Sequence, residues 1–170
     1  YSEQNPVKIA IVGAGAVSDY HHVPGIRLDR RAKLVAACDS SAALLAQRKT
    51  DWGIDYVTTD YEELCAHPGV DAIIIATPNF THHPIAVAAA RNGKHIMCEK
   101  PIDLDINRVE ALRDKANNAK VNISLGFNRR FHPQFETINR RVKAGEIVDA
   151  VASEQIARGG CARGDLRFAV

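Results

Sequence analysis

The chain has 170 residues, of which 46% are apolar and 25% are charged, and its 22 basic side chains nearly balance 20 acidic ones, for a net charge of +2. That balance gives no strong electrostatic field, so neither nucleic acid nor an anionic membrane is expected as a partner. The longest apolar stretch, residues 9–17, contains two glycines and is too short to span a bilayer. The length allows one domain, or one domain and part of another.

The amino end and the cysteines both favour a soluble, cytoplasmic protein. The first residues include Glu3 and no apolar core of a signal peptide, so no secretory signal is expected. The cysteines are widely spaced and form no zinc-binding pattern, so no metal site is expected. We interpret them as reduced, buried thiols. They are Cys38, Cys65, Cys98 and Cys161.

Short β-branched segments alternate along the chain with longer segments of helical periodicity, as in parallel strands joined by helical crossovers. This alternation predicts an α/β fold, a doubly wound parallel sheet of the Rossmann type. The predicted strands are 7–12, 33–38, 72–77, 95–98 and 122–126. The predicted helices are 16–28, 41–52, 61–66, 83–92, 105–119 and 131–143.

The alternation weakens after residue 126, which divides the chain in two. We predict that residues 1–127 form a dinucleotide-binding Rossmann domain. Residues 128–170 are expected to hold a linker helix and, at 148–156, the first strand of an incomplete second α/β domain. Residues 157–170 are rich in glycine and arginine and have no apolar period, so they are expected to be loop or disorder.

A glycine-rich segment follows the first predicted strand and opens the first predicted helix. Gly13 permits a tight turn, Gly15 lets the backbone approach a pyrophosphate, and the helix start presents N–H groups to an anion. Ser18 stands where a third glycine is usual and can fill the same packing role. Two such glycines alone are often only a tight turn, but their placement predicts a cofactor site. It comprises Gly13, Ala14, Gly15, Ala16 and Val17.

Asp39 ends the second predicted strand, where a carboxylate can accept hydrogen bonds from both adenosine ribose hydroxyls. The same charge repels a 2′-phosphate, so NAD is favoured over NADP. The alternative role of Asp39 is to cap the next helix, although Ser40 or Ser41 can serve as that cap. Arg48 and Lys49 are expected to face water and give only weak support for NADP.

The ends of three later strands carry polar and charged groups, in segments 77–82, 98–101 and 126–131. Because the carboxyl ends of parallel strands share one edge, we expect these groups to meet at one crevice, which suits a polyhydroxylated substrate. Lys100 is the candidate for donating or relaying a proton. Each of these residues also has a simpler interpretation when it is taken singly. A lysine before proline is more often a solvated loop residue, and His82 can cap a helix. Arg129 and Arg130 can simply lie on a solvent-exposed face.

The glycine-rich segment, Thr77-Pro78-Asn79 with His82, and Gly93-Lys94-His95 running into Glu99-Lys100-Pro101 together resemble the glucose–fructose oxidoreductase and inositol dehydrogenase (Gfo/Idh/MocA) family over residues 7–156. The resemblance implies a Rossmann domain, a nicotinamide cofactor, and oxidation of a secondary alcohol on a sugar or cyclitol. It implies that Lys100 contacts cofactor and substrate and assists proton transfer. It also implies cofactor contacts from Thr77, Pro78, Asn79, His82 and Glu99.

Residues 126–131 are especially similar to inositol dehydrogenases, which makes a cyclitol the first expected substrate and places Asn128 and Arg129 at it. Family members continue into a second α/β domain that carries a histidine base. Residues 158–165 do not resemble that continuation, and His132 lies in the wrong segment to be the base. A truncated or frame-shifted product is the expected explanation. Relatives assemble through the second domain's sheet, which leaves a homo-oligomer open.

The sequence therefore predicts an NAD-dependent oxidoreductase that oxidises a secondary alcohol of a cyclitol or sugar by hydride transfer to nicotinamide. The shortened chain is expected to bind the dinucleotide but to oxidise alcohols poorly. One alternative is a dinucleotide-binding fragment without turnover, because the base of the second domain is missing. A methyltransferase that binds S-adenosylmethionine at the glycine-rich loop is disfavoured by the Lys100-Pro101 segment.

Overall fold

The computed structural model describes residues 1–146. The chain divides into two compact units, Tyr1–Phe127 and Asn128–Val170, and the second is described as far as residue 146. The first unit holds a six-stranded sheet and five α-helices, and the second holds a 3₁₀ turn and one α-helix within the described residues. The predicted strand 148–156, the predicted loop 157–170 and Cys161 lie outside the described residues.

The sheet is entirely parallel and has the strand order β3-β2-β1-β4-β5-β6. The chain adds β2 and β3 on one side of β1, then crosses to the other side and adds β4, β5 and β6. This arrangement confirms the doubly wound Rossmann sheet. The strands are β1 Val7–Val12, β2 Ala32–Cys38, β3 Tyr56–Thr58, β4 Ala72–Ile75, β5 His95–Cys98 and β6 Ile123–Leu125.

The α-helices follow the predicted positions with small shifts at their ends. The main difference lies at the predicted helix 16–28, where a π-helical turn, Ser18–His22, precedes the first α-helix. No helix of residues 1–146 has the length and apolarity needed to cross a bilayer. The α-helices are α1 Val23–Leu28, α2 Ala42–Trp52, α3 Tyr61–Ala66, α4 His82–Arg91, α5 Ile106–Ala119 and α6 Pro133–Lys143.

The ends of these helices are set by local sequence. Ser41 accepts a hydrogen bond from the Leu44 N–H at 3.2 Å and so caps the start of α2. Asp60 and Asp105 cap α3 and α5 in the same way. Gly93 follows α4 with φ +69°, as the Asn-Gly pair predicts, since glycine adopts this left-handed conformation without a steric penalty.

Both faces of the sheet are covered, which is why the central strands are apolar at successive positions. In β4, Ile73 and Ile75 pack into the core under α3, α4 and α5, whereas Ile74 packs into the core under α1 and α2. Successive side chains of a strand point to opposite faces, so each central strand feeds both cores. The two cores fix the strands, and with them the positions of the segments that follow the strand ends.

Three cysteines lie within these cores as free, buried thiols, as predicted. Burial is the main cause that raises the pKa of each of Cys38, Cys65 and Cys98 to about 12. The negative charge of Asp39 adds to the effect at Cys38, and that of Glu99 adds to it at Cys98. These thiols are therefore protonated at physiological pH.

We expect Cys38, Cys65 and Cys98 to resist alkylation by iodoacetamide at pH 8 in the folded chain. A thiol with a pKa of about 12 is only about 0.01% thiolate at that pH, whereas an ordinary cysteine is about one quarter thiolate. Peptide mass spectrometry should show all three modified once urea is added. Rapid modification of any of them without urea would contradict its burial.

Candidate functional site

The carboxyl ends of all six strands lie at the same edge of the sheet, because the strands run parallel. β1 and β4 are neighbours in the sheet, but the chain leaves them toward opposite sides. In open α/β sheets such a switch point opens the crevice in which ligands bind. The segments that begin at Gly13 and Ala76 follow these two strands directly, and those that begin at Asp39 and Glu99 follow their outer neighbours β2 and β5.

Gly13 is held so tightly at this edge that only glycine fits. Its φ is +99°, and a Cβ there would lie 2.5 Å from the carbonyl oxygen of Ala76, which follows β4. Ser18, which is fully buried, donates from its hydroxyl to the carbonyl of Gly13 at 2.5 Å. Ser18 therefore does more than replace a glycine at a packing position, because its hydroxyl closes the turn.

The other side of the loop is open. Gly15, Ala16 and Val17 are exposed, and a Cβ added to Gly15 would meet nothing within 4 Å. A helical segment starts here, and the first N–H groups of a helix have no partner within it, which suits an anion such as a pyrophosphate. The five predicted cofactor residues thus divide into a buried pair, Gly13 and Ala14, and an exposed stretch that has room for phosphate.

Asp39 fixes the loop from the end of β2. Its Oδ2 accepts a hydrogen bond from the Ala14 N–H at 2.8 Å, and its Oδ1 accepts one from the Ser41 N–H at 2.9 Å. The cap of α2 is Ser41, so the alternative assignment of that role to Asp39 is wrong. Each carboxylate oxygen has a second lone pair, so Asp39 retains acceptor capacity for hydroxyl groups.

Arg48 does not face water as expected, and its side chain is only 13% exposed. Its Nε donates to the carbonyl of Ala14 at 3.2 Å, and its Nη1 lies 3.0 Å from Asp19 Oδ2. The guanidinium also stacks 5.5 Å from the ring centre of Trp52, whose Nε1 donates to Asp19 at 2.9 Å. The reason is that α2 packs beside the loop, so Arg48 meets a loop carbonyl. Lys49 is exposed, as expected.

His82 is fully buried, so its ring is not at the surface where a cofactor contact was expected. Its Nδ1 lies 2.7 Å from the carbonyl oxygen of Pro101, and its Nε2 lies 2.8 Å from that of Thr77. It is the first residue of α4 and forms no side-chain cap, so that alternative is also wrong. Pro78 and Asn79 remain exposed beside it.

Glu99 contacts a residue that the sequence did not single out, His22 of the π-helical turn. Glu99 Oε1 lies 3.1 Å from His22 Nε2, and the two side chains are 22% and 11% exposed. Burial lowers the pKa of His22, and the charge of Glu99 opposes that effect. Glu99 also lies against Gly126, where a Cβ would be 2.9 Å from Oε2. Lys100 itself is exposed.

The adjacent pair His21-His22 is the only sequence signal that pointed to this contact, and it does not say which ring faces inward. Helical periodicity fails here because the π-helical turn contains more residues per turn than an α-helix. In the structure His21 is exposed and His22 is the inward residue.

Asn128 and Arg129 belong to the second unit, where both are exposed in a 3₁₀ turn, Asn128–Phe131. The Arg129 guanidinium lies 5.7 Å from the ring centre of Phe135. Their expected role at the substrate stays a prediction.

A doubly wound parallel sheet with an open glycine-rich loop at its switch point and a carboxylate after the second strand defines a dinucleotide-binding Rossmann protein. The chain belongs to the Gfo/Idh/MocA oxidoreductase family, described as having an NAD-binding Rossmann fold, whose family model matches residues 7–127. The family resemblance inferred from the motifs is thereby confirmed, and the methyltransferase alternative is wrong.

Two curated relatives are inositol dehydrogenases. The chain is 35% identical over 144 residues to the scyllo-inositol 2-dehydrogenase (NAD(+)) of Bacillus subtilis, covering 85% of this chain and 42% of the relative. It is 36% identical over 141 residues to the inositol 2-dehydrogenase of Rhizobium meliloti, covering 83% and 42%. The chain thus spans about 42% of the length of these relatives.

A solved structure shows the same fold. The scyllo-inositol dehydrogenase of Lactobacillus casei, crystallised with NAD(H) and scyllo-inositol, is 33% identical to this chain and superposes with a TM-score of 0.78. The match covers 85% of this chain and 43% of that one.

The two glycines of the loop should respond in opposite ways to substitution. Gly13→Ala places a Cβ against a backbone carbonyl at positive φ, so we expect the free energy of unfolding in urea to fall by about 2–5 kcal/mol. Gly15→Ala has free space and should leave stability within about 1 kcal/mol of wild type, but weaken dinucleotide binding about tenfold. Equal stability losses in both variants would contradict this account of the loop.

Proposed function

We propose that this chain binds NAD at the glycine-rich loop and supplies Lys100 to the oxidation of a secondary alcohol on a cyclitol or sugar. The observation that carries the proposal is the open loop at the switch point, braced by Asp39, with Lys100 exposed at the end of a strand on the same sheet edge. The relatives named as inositol dehydrogenases, one of them crystallised with NAD(H) and scyllo-inositol, support the choice of a cyclitol.

In this proposal the cofactor is held by the loop and by the ends of β2 and β4. The exposed backbone of Gly15, Ala16 and Val17 receives the pyrophosphate, since no side chain blocks its approach. The free lone pairs of Asp39 accept the ribose hydroxyls, and its charge disfavours a 2′-phosphate, so NAD is preferred. The exposed Pro78 and Asn79 line the pocket beyond β4.

Oxidation of a secondary alcohol to a ketone releases one hydride from carbon and one proton from oxygen. NAD, when bound, supplies the acceptor for the hydride. Lys100 orients the hydroxyl by hydrogen bonding and assists the transfer of its proton to a base or to water, a role that its exposed position after β5 allows. Glu99 contributes by fixing the backbone next to Lys100, because its own carboxylate contacts His22.

A second candidate function is dinucleotide binding without turnover. It is favoured by the contacts of the two histidines that flank this segment in the fold. Both ring nitrogens of His82 face backbone carbonyls, so this ring is not free to take a proton from a substrate hydroxyl, and the Nε2 of His22 faces Glu99.

We expect the chain to bind NAD more tightly than NADP in fluorescence titrations. Asp39→Ala removes the ribose contacts and the repulsion together, so the ratio of NADP to NAD dissociation constants should fall about tenfold to hundredfold. The matched control is Ser41→Ala, which removes the α2 cap and should lower stability by about 1 kcal/mol without changing that ratio. Tighter binding of NADP by the wild-type chain would overturn the cofactor assignment.

Turnover is tested by NADH production with myo-inositol and scyllo-inositol. Wherever turnover is measured, Lys100→Ala should lower kcat by a factor on the order of 10²–10⁴ and leave NAD affinity within about threefold. Lys49→Ala, an exposed lysine of α2, is the control and should change neither quantity. An unchanged kcat in Lys100→Ala would remove Lys100 from the mechanism. Saturable NAD binding without NADH would favour the second candidate.

A further inference from the structure

We propose that His22 and His82 are positioning residues that hold the backbone on the two sides of Lys100. His22 acts on Glu99, the residue before Lys100, and His82 acts on Pro101, the residue after it. This proposal rests on the proposed function, because it concerns where the Lys100 ammonium is presented. It assigns to the two histidines a role in placing that group and no contact with cofactor or substrate.

The first contact is made by His82, the first residue of α4. The imidazole of His82 has no solvent exposure and lies between two carbonyl oxygens, with Nε2 2.8 Å from that of Thr77 and Nδ1 2.7 Å from that of Pro101. A ring with a single N–H donates to one of these carbonyls at a time. One carbonyl lies just beyond β4 and the other lies in the segment that leaves β5. Buried carbonyls that lose a partner carry a desolvation penalty, so the ring ties these two segments together.

The second contact is made by His22, which follows the glycine-rich loop. The π-helical turn that follows the loop turns His22 inward, where its Nε2 lies 3.1 Å from Glu99 Oε1. π-helical turns are frequent at functional sites, because they redirect side chains that an α-helix would place elsewhere. The Glu99 carboxylate also lies close to Gly126, where a Cβ would be 2.9 Å from Oε2.

Lys100 depends on these contacts because it has a long, flexible side chain and is itself exposed. The position of its ammonium therefore follows the backbone of Glu99 and Pro101. A misplacement of about 1 Å at a reacting group can cost about a hundredfold in rate, so the hold on that backbone matters for Lys100. The two histidines join the backbone of Glu99 and Pro101 to the segments after β1 and β4, which flank the cofactor crevice.

The chain offers a matched control for each histidine in its own neighbour. His21 precedes His22 and is exposed, so its ring is not held against Glu99. His83 follows His82, and its Nε2 is buried and, like His22 Nε2, makes no aligned hydrogen bond among residues 1–146. The difference is that His22 Nε2 lies 3.1 Å from the Glu99 carboxylate. Each control substitution replaces a histidine one position away from the tested one. It leaves both contacts to the Glu99–Pro101 segment in place.

The position of Lys100 can be followed without catalysis. Reductive methylation with ¹³C-formaldehyde gives each lysine a dimethyl NMR signal, and Lys100→Arg identifies the signal of Lys100. We expect saturating NAD⁺ to shift this signal in the wild-type chain. In His22→Phe and His82→Phe the NAD⁺-induced shift should fall by at least half, while the dissociation constant for NAD⁺ stays within about threefold of wild type. His21→Phe and His83→Phe should behave as wild type.

Rescue separates positioning from a general loss of structure. His22→Gln places an amide N–H near the position of Nε2, so it should restore the shift that His22→Phe loses. Circular dichroism checks folding, and if His82→Phe does not fold, His82→Gln, which retains an amide donor, takes its place with an intermediate loss expected.

The outcomes distinguish this proposal from the proposed function. A full NAD⁺-induced shift in folded His22→Phe and His82→Phe overturns the positioning role and leaves the proposed function standing. Equal losses in the His21→Phe and His83→Phe controls also overturn it. Saturable NAD⁺ binding with no Lys100 shift in the wild-type chain overturns the placement of Lys100 beside the cofactor, and the positioning role with it. No NAD⁺ binding at all overturns the proposed function itself.

Discussion

The close approach of Gly13 to the carbonyl of Ala76 is the constraint on which the site depends. A side chain at position 13 would lie within 2.5 Å of that oxygen, so the turn after β1 can pass the end of β4 only with glycine. This is also the switch point of the sheet, where the crevice opens. The backbone therefore reaches the place where a phosphate can bind, and no Cβ at Gly13 intervenes.

A network of polar contacts holds the loop in this position. Asp39 accepts the Ala14 N–H, Arg48 donates to the Ala14 carbonyl, and Ser18 donates to the Gly13 carbonyl. These bonds satisfy polar groups of the buried part of the loop, which would otherwise be costly. The exposed part, which starts at Gly15, makes no side-chain hydrogen bond of this kind within residues 1–146 that would have to break before a ligand binds. Such an arrangement is preorganised, because the ordering of the loop is complete before the ligand arrives.

The strands and the loop could be predicted from the sequence because their signals are local. β1 and β5 have the bounds that their apolar runs predicted, and the position of Gly13 after β1 predicted the tight turn that the structure has there. The strand β3 was missed because Tyr56–Thr58 is too short for a pattern. The inward turn of His22, the burial of His82 and the contact of Arg48 with the loop depend on neighbours that are remote in sequence. Residue type and spacing do not determine which side such residues face.

The buried contacts also explain why residues spread over more than eighty positions can act at one edge. Gly13, Asp39 and Glu99 each follow a strand whose side chains are fixed in the cores on both faces of the sheet. The strands set the position of these segments along the edge, and the polar contacts between segments set their orientation. His82 joins the segments after β4 and β5, and His22 joins the segments after β1 and β5. Substitutions that displace a buried strand should therefore also displace the segment that follows it at the site. Substitutions that remove one of these polar contacts should alter the site and leave the sheet intact.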